Sequence, residues 1–286
     1  MNILLIGGSR FMGPHIVGKL LQNGHRTTIF NTGNHPVPFH NQVRFIQGDR
    51  QDGFGKLKES FDVIIDTCAY IPAHIQSTLE QLSCTKYVLV STMAVYQKSD
   101  IFPLREDSSP VGLWPLWGEY NEGKRACEML LQKSGIKHVI VRPVYVLGAS
   151  NYINREQHIY TRLAQDCEIV LPGDGSAIVQ FVFVQDTANV IIMLAEENVE
   201  GVYNCCGDEV ITLRGLVEEM GKIVGKKARI RFNPKTDGAH FEKLEFPFAN
   251  EHCICSNEKI KNLGVRFTPL ITGLREDYRN YYRNQS

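Results

Sequence analysis

The chain has 286 residues, and its 31 basic and 31 acidic side chains give a formal net charge of zero. This balance excludes a polybasic protein or one with an acidic tail, and we expect no nucleic-acid partner. No apolar run approaches the roughly 18 residues that span a membrane, and no leader-peptide pattern is visible. We therefore expect a cytoplasmic protein with no membrane partner.

The eight cysteines are scattered along the chain without any C-x-x-C pair, and several lie in apolar segments. We interpret them as reduced core thiols, which agrees with a cytoplasmic protein. His252, Cys253 and Cys255 are close enough in sequence to suggest a metal cluster, but a second ligand pair is missing. We predict no metal site.

The N-terminal stretch MNILLIGGSRFMG has the pattern of a strand, a tight turn and a helix. The apolar run at 3–6 predicts a strand buried on both faces of a parallel sheet. Gly7 and Gly8 permit a tight turn and a close approach of the backbone to a ligand, and Gly13 lets the helix predicted at 14–23 pack closely. The N-terminus of that helix offers unpaired N–H groups and suits a diphosphate.

Strand and helix patterns alternate through the first half of the chain. Apolar runs predict strands at 3–6, 27–30, 43–46, 63–65, 87–91 and 138–142, and helices are predicted at 14–23, 73–83 and 120–134. Strands spaced by helices indicate a doubly wound parallel α/β sheet of the Rossmann type. Ligands of such sheets bind beyond the carboxyl ends of the strands.

From Gly148 onward, strand and helix patterns no longer alternate regularly. Strands are predicted at 180–184, 202–205 and 229–232, with a helix at 213–224 for which Thr212 is the N-cap. We predict a dinucleotide-binding lobe at 1–148, to which 176–206 returns. Residues 149–175 and 207–286 are predicted to form a smaller C-terminal substrate lobe.

Three side chains form a candidate catalytic group. Tyr120 and Lys124 are four residues apart on a predicted helix and so lie on one face. A neighbouring ammonium favours the phenolate and lowers the pKa of a tyrosine toward neutrality. Thr92, at the end of the fifth predicted strand, is placed to hold a substrate oxygen. The group predicts proton transfer coupled to hydride transfer by a cofactor.

These segments resemble the extended branch of the short-chain dehydrogenase/reductase superfamily, the NAD(P)-dependent epimerase/dehydratase group. The resemblance covers nearly the whole chain and rests on GGSRFMG, DTCAY, STMAVY, YNEGK and RPVYVLG. It implies that Thr92 and Tyr120 are catalytic and that Lys124 is the partner of Tyr120 and a ribose contact. It also implies an NAD(P) cofactor and a nucleotide-diphosphate sugar as substrate.

The resemblance also implies two sets of binding residues. The cofactor set is Gly7, Gly8, Ser9, Arg10, Phe11, Met12, Gly13, Asn31, Asp49, Arg50, Cys68, Ala69, Tyr70, Pro143 and Val146. The substrate set is Met93, Asn151, Tyr152, Arg155 and Gln180. In the second set, Arg155 is expected to bind the diphosphate and Tyr152 to stack on a ring or donate its hydroxyl.

Three positions depart from the family pattern. Arg10 replaces the middle glycine of the turn, Asn31 replaces the acid of NAD-selective members, and Gln180 replaces an arginine found in many members. A guanidinium suits a 2′-phosphate, and Asn31 would not repel one, so NADP is favoured over NAD. The Arg10 pattern is similar to an atypical subgroup that includes plastid RNA-binding proteins.

Three functions remain open from the sequence. The first is an epimerase or ketoreductase of a nucleotide-diphosphate sugar, and the second is an NADPH-dependent reductase of a non-sugar carbonyl compound. The third is a non-catalytic member that binds dinucleotide or RNA. In many relatives the helix around Tyr120 pairs subunits, so a homodimer is also open.

Overall fold

The computed structural model describes residues 1–55, 57–108, 118–239 and 245–285; parts of both predicted lobes, at 109–117 and 240–244, lie outside them. The strands are β1 Asn2–Ile6, β2 Arg26–Asn31, β3 Arg44–Gln47, β4 Phe61–Asp66, β5 Cys84–Val90, β6 His138–Pro143, β7 Tyr145–Leu147, β8 Glu168–Pro172, β9 Ile178–Phe183, β10 Gly201–Cys205, β11 Val210–Thr212 and β12 Arg229–Asn233. The helices are α1 Met12–Gln22, α2 Pro72–Gln81, α3 Gly118–Lys133, α4 Glu156–Ala164, α5 Val184–Glu196, α6 Leu213–Val224, α7 Glu258–Lys261 and α8 Leu270–Asn280.

The central sheet has seven parallel strands in the order β10-β6-β5-β4-β1-β2-β3. The order reverses between β1 and β4, which is the point where ligands of doubly wound sheets bind. The predicted α/β class and parallel sheet are confirmed. Strand β1 is apolar throughout residues 3–6 because all four side chains are fully buried within the sheet.

The chain divides into two compact units, and each continues through several segments. The first unit consists of residues 1–143, 185–205 and 256–265, and the second of residues 144–184, 206–255 and 266–286. The chain thus re-enters the first unit at residue 185, whereas the sequence predicted that it does so at residue 176. The difference arises because β9 pairs with β7 and β11 of the second unit.

In its described residues, the second unit contains two small sheets and three longer helices. Strands β11, β9 and β7 form one sheet, and β8 and β12 form a parallel pair. Helix α6 begins after Thr212, whose hydroxyl accepts a hydrogen bond from the Gly215 N–H at 3.0 Å, as the sequence predicted. Gly225 ends the helix in the left-handed conformation, with φ of 77°.

All eight cysteines are free thiols. Within the ranges that the structure describes, no three His, Cys, Asp or Glu side chains are grouped so as to hold a metal ion. No helix in the same ranges is long and apolar enough to cross a membrane.

Candidate functional site

The turn after β1 is shaped by glycines at its two ends. Gly7 and Gly8 have φ of 98° and 84°, in the region that favours glycine. A Cβ at Gly13 would lie 2.2 Å from the Gly8 carbonyl oxygen, so α1 begins in direct contact with the turn. The first N–H groups of α1 therefore emerge beside the turn, where a diphosphate is stabilised.

Asn31, at the end of β2, holds this turn in place. Its Nδ2 donates hydrogen bonds to the Gly7 carbonyl oxygen and to Ser9 Oγ, both at 2.9 Å, and its Oδ1 accepts from the Gly33 N–H. An aspartate could not make the two donated bonds, since a carboxylate only accepts. The departure from the family's acid at this position thus supports the conformation of the turn.

The remaining turn residues lead directly into α1. Arg10 is exposed, and its carbonyl oxygen accepts a hydrogen bond from the Gly13 N–H at 2.9 Å. Phe11 caps the helix with a positive φ of 47°, and Met12 is the first helical residue. The exposed guanidinium of Arg10 is thus carried by the segment that begins the helix.

A buried ion pair lies under the end of β4. The guanidinium of Arg50 donates to both oxygens of Asp66, at 3.1 and 2.8 Å, and also to Thr78 Oγ1 and the His74 carbonyl oxygen. Tyr87 Oη donates to Asp66 Oδ2 at 2.6 Å. Burial alone would raise the pKa of Asp66, but the Arg50 guanidinium and these hydrogen bonds hold it below its ordinary value.

This ion pair occupies the guanidinium of Arg50, one of the predicted cofactor residues, and it orients the segment that follows β4. Cys68 N–H donates to Asp66 Oδ1 at 3.0 Å, so the carboxylate fixes the segment that also holds Ala69 and Tyr70. Ala69 is fully buried, and burial raises the pKa of the Cys68 thiol to about 12. Asp49 Oδ1 accepts from the Gln51 N–H and shapes the loop that carries Arg50.

Thr92 lies just beyond the carboxyl end of β5. Its side chain caps a short 3-10 turn at Met93–Val95 by accepting a hydrogen bond from the Ala94 N–H at 3.2 Å. Met93 and Ala94 are both buried. The threonine hydroxyl is therefore fixed at the edge of the sheet where ligands bind.

Tyr120 and Lys124 lie on the first turns of α3 with very different exposure. Tyr120 is 42% exposed, whereas Lys124 is 2% exposed and donates to the Val90 carbonyl oxygen at 2.8 Å. Tyr70 stands beside both: its ring centroid is 4.7 Å from Lys124 Nζ and 6.3 Å from the Tyr120 ring centroid. The structure thus brings the segment after β4, which is predicted to bind the cofactor, against the candidate catalytic pair.

Glycine at position 123 makes this approach of α3 geometrically allowed. A Cβ there would lie 2.1 Å from the Tyr70 carbonyl oxygen. Any other residue would push α3 away from the segment after β4. The glycine in YNEGK is therefore required by packing, which the spacing of the tyrosine and the lysine in that motif does not reveal.

The electrostatic environment of Lys124 combines opposing effects. Burial lowers its pKa below the ordinary value, and the Asp66 carboxylate is the strongest of the nearby groups that oppose this. A buried lysine with a depressed pKa is a common feature of functional sites.

A second buried network, which sequence reasoning missed, joins α3 to β6 and β10. Arg142 forms two hydrogen bonds with the Glu128 carboxylate, and its guanidinium carbon lies 4.5 Å from the centroid of the Tyr96 ring. Tyr96 Oη donates to Asn204 Oδ1 at 2.6 Å. Pro143, the last residue of β6, directly follows Arg142. No local pattern predicts this network, because its members are far apart along the chain.

In the second unit, the loop after β7 is held by one buried carboxylate. Glu156 accepts from the Gly148 N–H at 2.6 Å and from Asn151 Nδ2 at 3.1 Å. Asn151 Nδ2 also donates to the carbonyl oxygen of Val146, which is buried. The predicted substrate residue Asn151 is thus engaged in shaping its own loop.

The other predicted substrate residues of this unit differ in accessibility. Tyr152 is exposed, and the Arg155 guanidinium carbon lies 5.0 Å from the Tyr145 ring centroid. Gln180 is buried: its Nε2 donates to the Gly207 carbonyl oxygen at 2.7 Å, and its Oε1 accepts from the Cys255 N–H at 2.8 Å. Its amide is therefore occupied by the main chain of the same unit, and a contact of Gln180 with the substrate stays a prediction.

The parallel sheet and the glycine turn define a protein of the Rossmann class, with Thr92 just beyond β5 and with Tyr120 and Lys124 on α3. A family model described as the NAD dependent epimerase/dehydratase family matches residues 59–206, which is just over half of the chain. The chain belongs to this family, so the resemblance found in the sequence is confirmed.

Three comparisons show which known proteins the chain is similar to. The chain is 30% identical to chloroplast stem-loop binding protein of 41 kDa b of Arabidopsis thaliana, over 97% of this chain and 78% of that protein. It is 23% identical to UDP-glucuronic acid decarboxylase 1 of Danio rerio, over 82% of this chain and only 63% of the relative. The fold matches UDP-glucose 4-epimerase of Thermotoga maritima with a TM-score of 0.82 and 20% identity, over 100% of this chain and 99% of that one.

The turn fits the cofactor that the family description names. The positive φ of Gly7 and Gly8 and the close packing of Gly13 against the turn are of the kind that suits a diphosphate at the start of α1. The predicted nicotinamide cofactor and the prediction of an NAD-dependent enzyme are confirmed at the level of the family. The preference for NADP stays a prediction.

Proposed function

We propose that the protein exchanges hydride and proton at a sugar carbon of a nucleotide-diphosphate sugar, as an epimerase or a ketoreductase. The observation that carries this proposal is the bond from Lys124 Nζ to the Val90 carbonyl oxygen. It ties the helix that bears Tyr120 to the strand end that bears Thr92. The three side chains are thereby supported by one rigid part of the sheet.

In this proposal Tyr120 moves the proton. Its phenolate oxygen takes the proton from the substrate hydroxyl, and the Lys124 ammonium favours this ionised form of the tyrosine. Thr92 Oγ1 accepts from the Ala94 N–H, which leaves its hydroxyl hydrogen to donate to the substrate oxygen. Epimerisation requires the proton to return to that oxygen, so the same tyrosine serves as base and then as acid.

NAD, when bound, supplies hydride transfer to and from the sugar carbon. The residues that would hold it are the glycine turn, the first N–H groups of α1, the Cys68–Tyr70 segment and Lys124. Asn31 supports this binding through the turn, since its amide donates to Gly7 and Ser9. Pro143 and Val146 are proposed to line the nicotinamide end.

The nucleotide end of the substrate is proposed to bind the loop after β7 in the second unit. The guanidinium of Arg155 suits the diphosphate, and exposed Tyr152 suits the base or sugar. Glu156 and Asn151 give this loop its conformation through their mutual hydrogen bond. The names of several relatives support a UDP-sugar in particular.

The test is incubation of the protein with NAD and, separately, UDP-glucose, UDP-glucuronic acid and UDP-N-acetylglucosamine, followed by chromatography and mass measurement. An isomer of unchanged mass identifies epimerisation. Loss of carbon dioxide identifies decarboxylation, and stoichiometric oxidation of NADH or NADPH identifies reduction.

Binding is tested separately from turnover. A thermal-shift series with the same sugars should stabilise the parent, and Arg155→Ala should lose most of that shift. If no nucleotide sugar stabilises the parent in the presence of NAD, the proposal is wrong. The reductase of a non-sugar carbonyl compound then becomes the better account.

A second candidate function is favoured by the name of one relative. The Arabidopsis protein, 30% identical over nearly the whole of this chain, is called a stem-loop binding protein. RNA binding by this chain is therefore a candidate in addition to the catalytic one. It is tested by titrating labelled RNA into the protein.

A further inference from the structure

Basic side chains are concentrated in one short stretch of the second unit. Residues 222–235 read KIVGKKARIRFNPK, which contains six basic and no acidic residues. The zero net charge of the whole chain conceals this segregation. The stretch contains the end of α6, the turn that follows and strand β12.

The structure places part of this stretch in a surface groove of about 590 Å³. Four basic side chains line the groove, namely Arg214, Lys222, Lys226 and Lys227, together with the acidic Glu218 and the apolar Ile230 and Phe232. We call this the basic groove. Basic groups outnumber acidic ones in it by four to one.

Two of these cations are available to an anionic ligand. Arg214 is paired with Glu218 at 2.7 Å and Lys222 with Glu219 at 2.6 Å. Lys226 and Lys227 are both exposed, and neither forms an ion pair with a residue in the described part of the chain. They follow Gly225, beyond the helix end that Lys222 already complements.

An exposed aromatic ring shares the basic groove with these lysines. Side chains alternate along β12, so Ile230 and Phe232 lie on one face, whereas Arg229 and Arg231 lie on the other. Phe232 is 42% exposed. A ring and adjacent cations in a groove form the arrangement that binds single strands: bases stack on the ring and phosphates bind the cations.

We propose that the basic groove binds single-stranded RNA, with Lys226 and Lys227 on successive phosphates and Phe232 stacked on a base. The choice of RNA rests on the second candidate function above, whereas the location rests on the groove itself. A membrane surface is less suited, because lipid is met by a broad apolar helix face rather than by one ring in a groove.

The experiment measures fluorescence anisotropy of a labelled oligouridine of about 12 nucleotides over a series of NaCl concentrations. The parent should bind with an affinity that falls with salt, by about 0.7 in the log–log slope for each phosphate contacted. The Lys226→Ala/Lys227→Ala variant should weaken binding and reduce the slope by about 1.4. Phe232→Ala should weaken binding about tenfold at every salt concentration, with the slope unchanged.

A Lys58→Ala/Lys133→Ala variant is the matched control, since both lysines are exposed and belong to the first unit. It should bind like the parent. If the parent binds the RNA but the groove variants bind it as tightly as the control does, the basic groove is not the binding site, although the chain binds RNA. If the parent does not bind the oligouridine, the proposal is wrong, and titration of a labelled stem-loop RNA then decides separately whether the chain binds RNA at all. Binding through the same side chains to phosphatidylcholine–phosphatidylserine vesicles, without RNA binding, would identify a membrane partner and overturn the proposal.

Discussion

Arg142 and Glu128 form a two-point ion pair inside the first unit, with Nε–Oε1 and Nη2–Oε2 distances of 3.0 and 2.6 Å. Both side chains are almost fully buried. Glu128 lies on α3, one turn beyond Lys124, so the pair anchors the helix of the candidate catalytic residues to β6.

This anchor gives the first prediction. Glu128→Gln should lower the free energy of unfolding by about 3–5 kcal/mol, because Arg142 is left buried without its counter-charge. The Glu128→Leu/Arg142→Met double variant should be much less destabilised, since it removes both charges. Urea unfolding measures both effects. A single variant as stable as the parent would show that the pair does not anchor α3.

The parts of the fold that the sequence predicted are those with local patterns. The buried run at 3–6 and the capped helix after Thr212 each depend on neighbours in sequence. The Arg142–Glu128 pair and the Asp66–Arg50 pair depend on tertiary contacts between residues that have no spacing rule. Gly123 was missed for the same reason, since its need becomes visible only when the Tyr70 carbonyl oxygen is in place.

In the candidate site, too, the sequence predicted the residues of local motifs but not their tertiary contacts. Residue type and order pointed to Tyr120, Lys124 and Thr92, but the sequence did not reveal that Lys124 is buried against Val90 or that Tyr70 stands beside it. Gln180 illustrates the limit: the sequence predicts a polar contact, and the structure places its amide between two main-chain partners. Net charge likewise concealed the basic groove, because it averages over the whole chain.

Tyr120→Phe should abolish turnover and leave dinucleotide binding nearly intact, because only the proton carrier is removed. Lys124→Ala should harm both, since the buried ammonium and its bond to the Val90 carbonyl oxygen are lost together. Steady-state kinetics and calorimetric titration with NAD separate the two effects. Turnover by Tyr120→Phe at the parent rate would contradict the proposed mechanism.

Arg10 is predicted to favour NADP through contact with the 2′-phosphate. Arg10→Ala should reduce the ratio of NADP to NAD affinity about tenfold, as measured by calorimetry. Asn31→Asp is a useful companion: it should weaken both dinucleotides, because the carboxylate cannot donate to Gly7 and Ser9. Equal affinities for NAD and NADP, unchanged in Arg10→Ala, would refute the role of this arginine.

The chain should lack 4,6-dehydratase activity. Dehydratases that resemble it usually have an Asp-Glu pair after the catalytic Ser/Thr, and here Met93 and Ala94 are buried apolar residues with no proton to exchange. Nuclear magnetic resonance of reactions with dTDP-glucose and UDP-glucose should detect no 4-keto-6-deoxy sugar. Its appearance from either substrate would contradict this prediction.

The last prediction concerns Glu156, which is 2% exposed and holds the loop after β7. Burial raises its pKa from 4.5 to about 7, although the Gly148 N–H and the Arg155 charge oppose this. The folded state therefore keeps a proton that the unfolded state loses between pH 4.5 and 7. The free energy of unfolding should fall as pH rises through this window, by on the order of 3 kcal/mol from this group, and level off above it.

Glu156→Gln cannot titrate, so its free energy of unfolding should fall less over the same window. Asp277, whose pKa burial raises to about 6, acts in the same direction, and Asp277→Asn should remove a smaller share. Urea unfolding of the parent and both variants at several pH values gives the slopes. Identical slopes for the parent and Glu156→Gln would show that this carboxyl does not set the pH dependence.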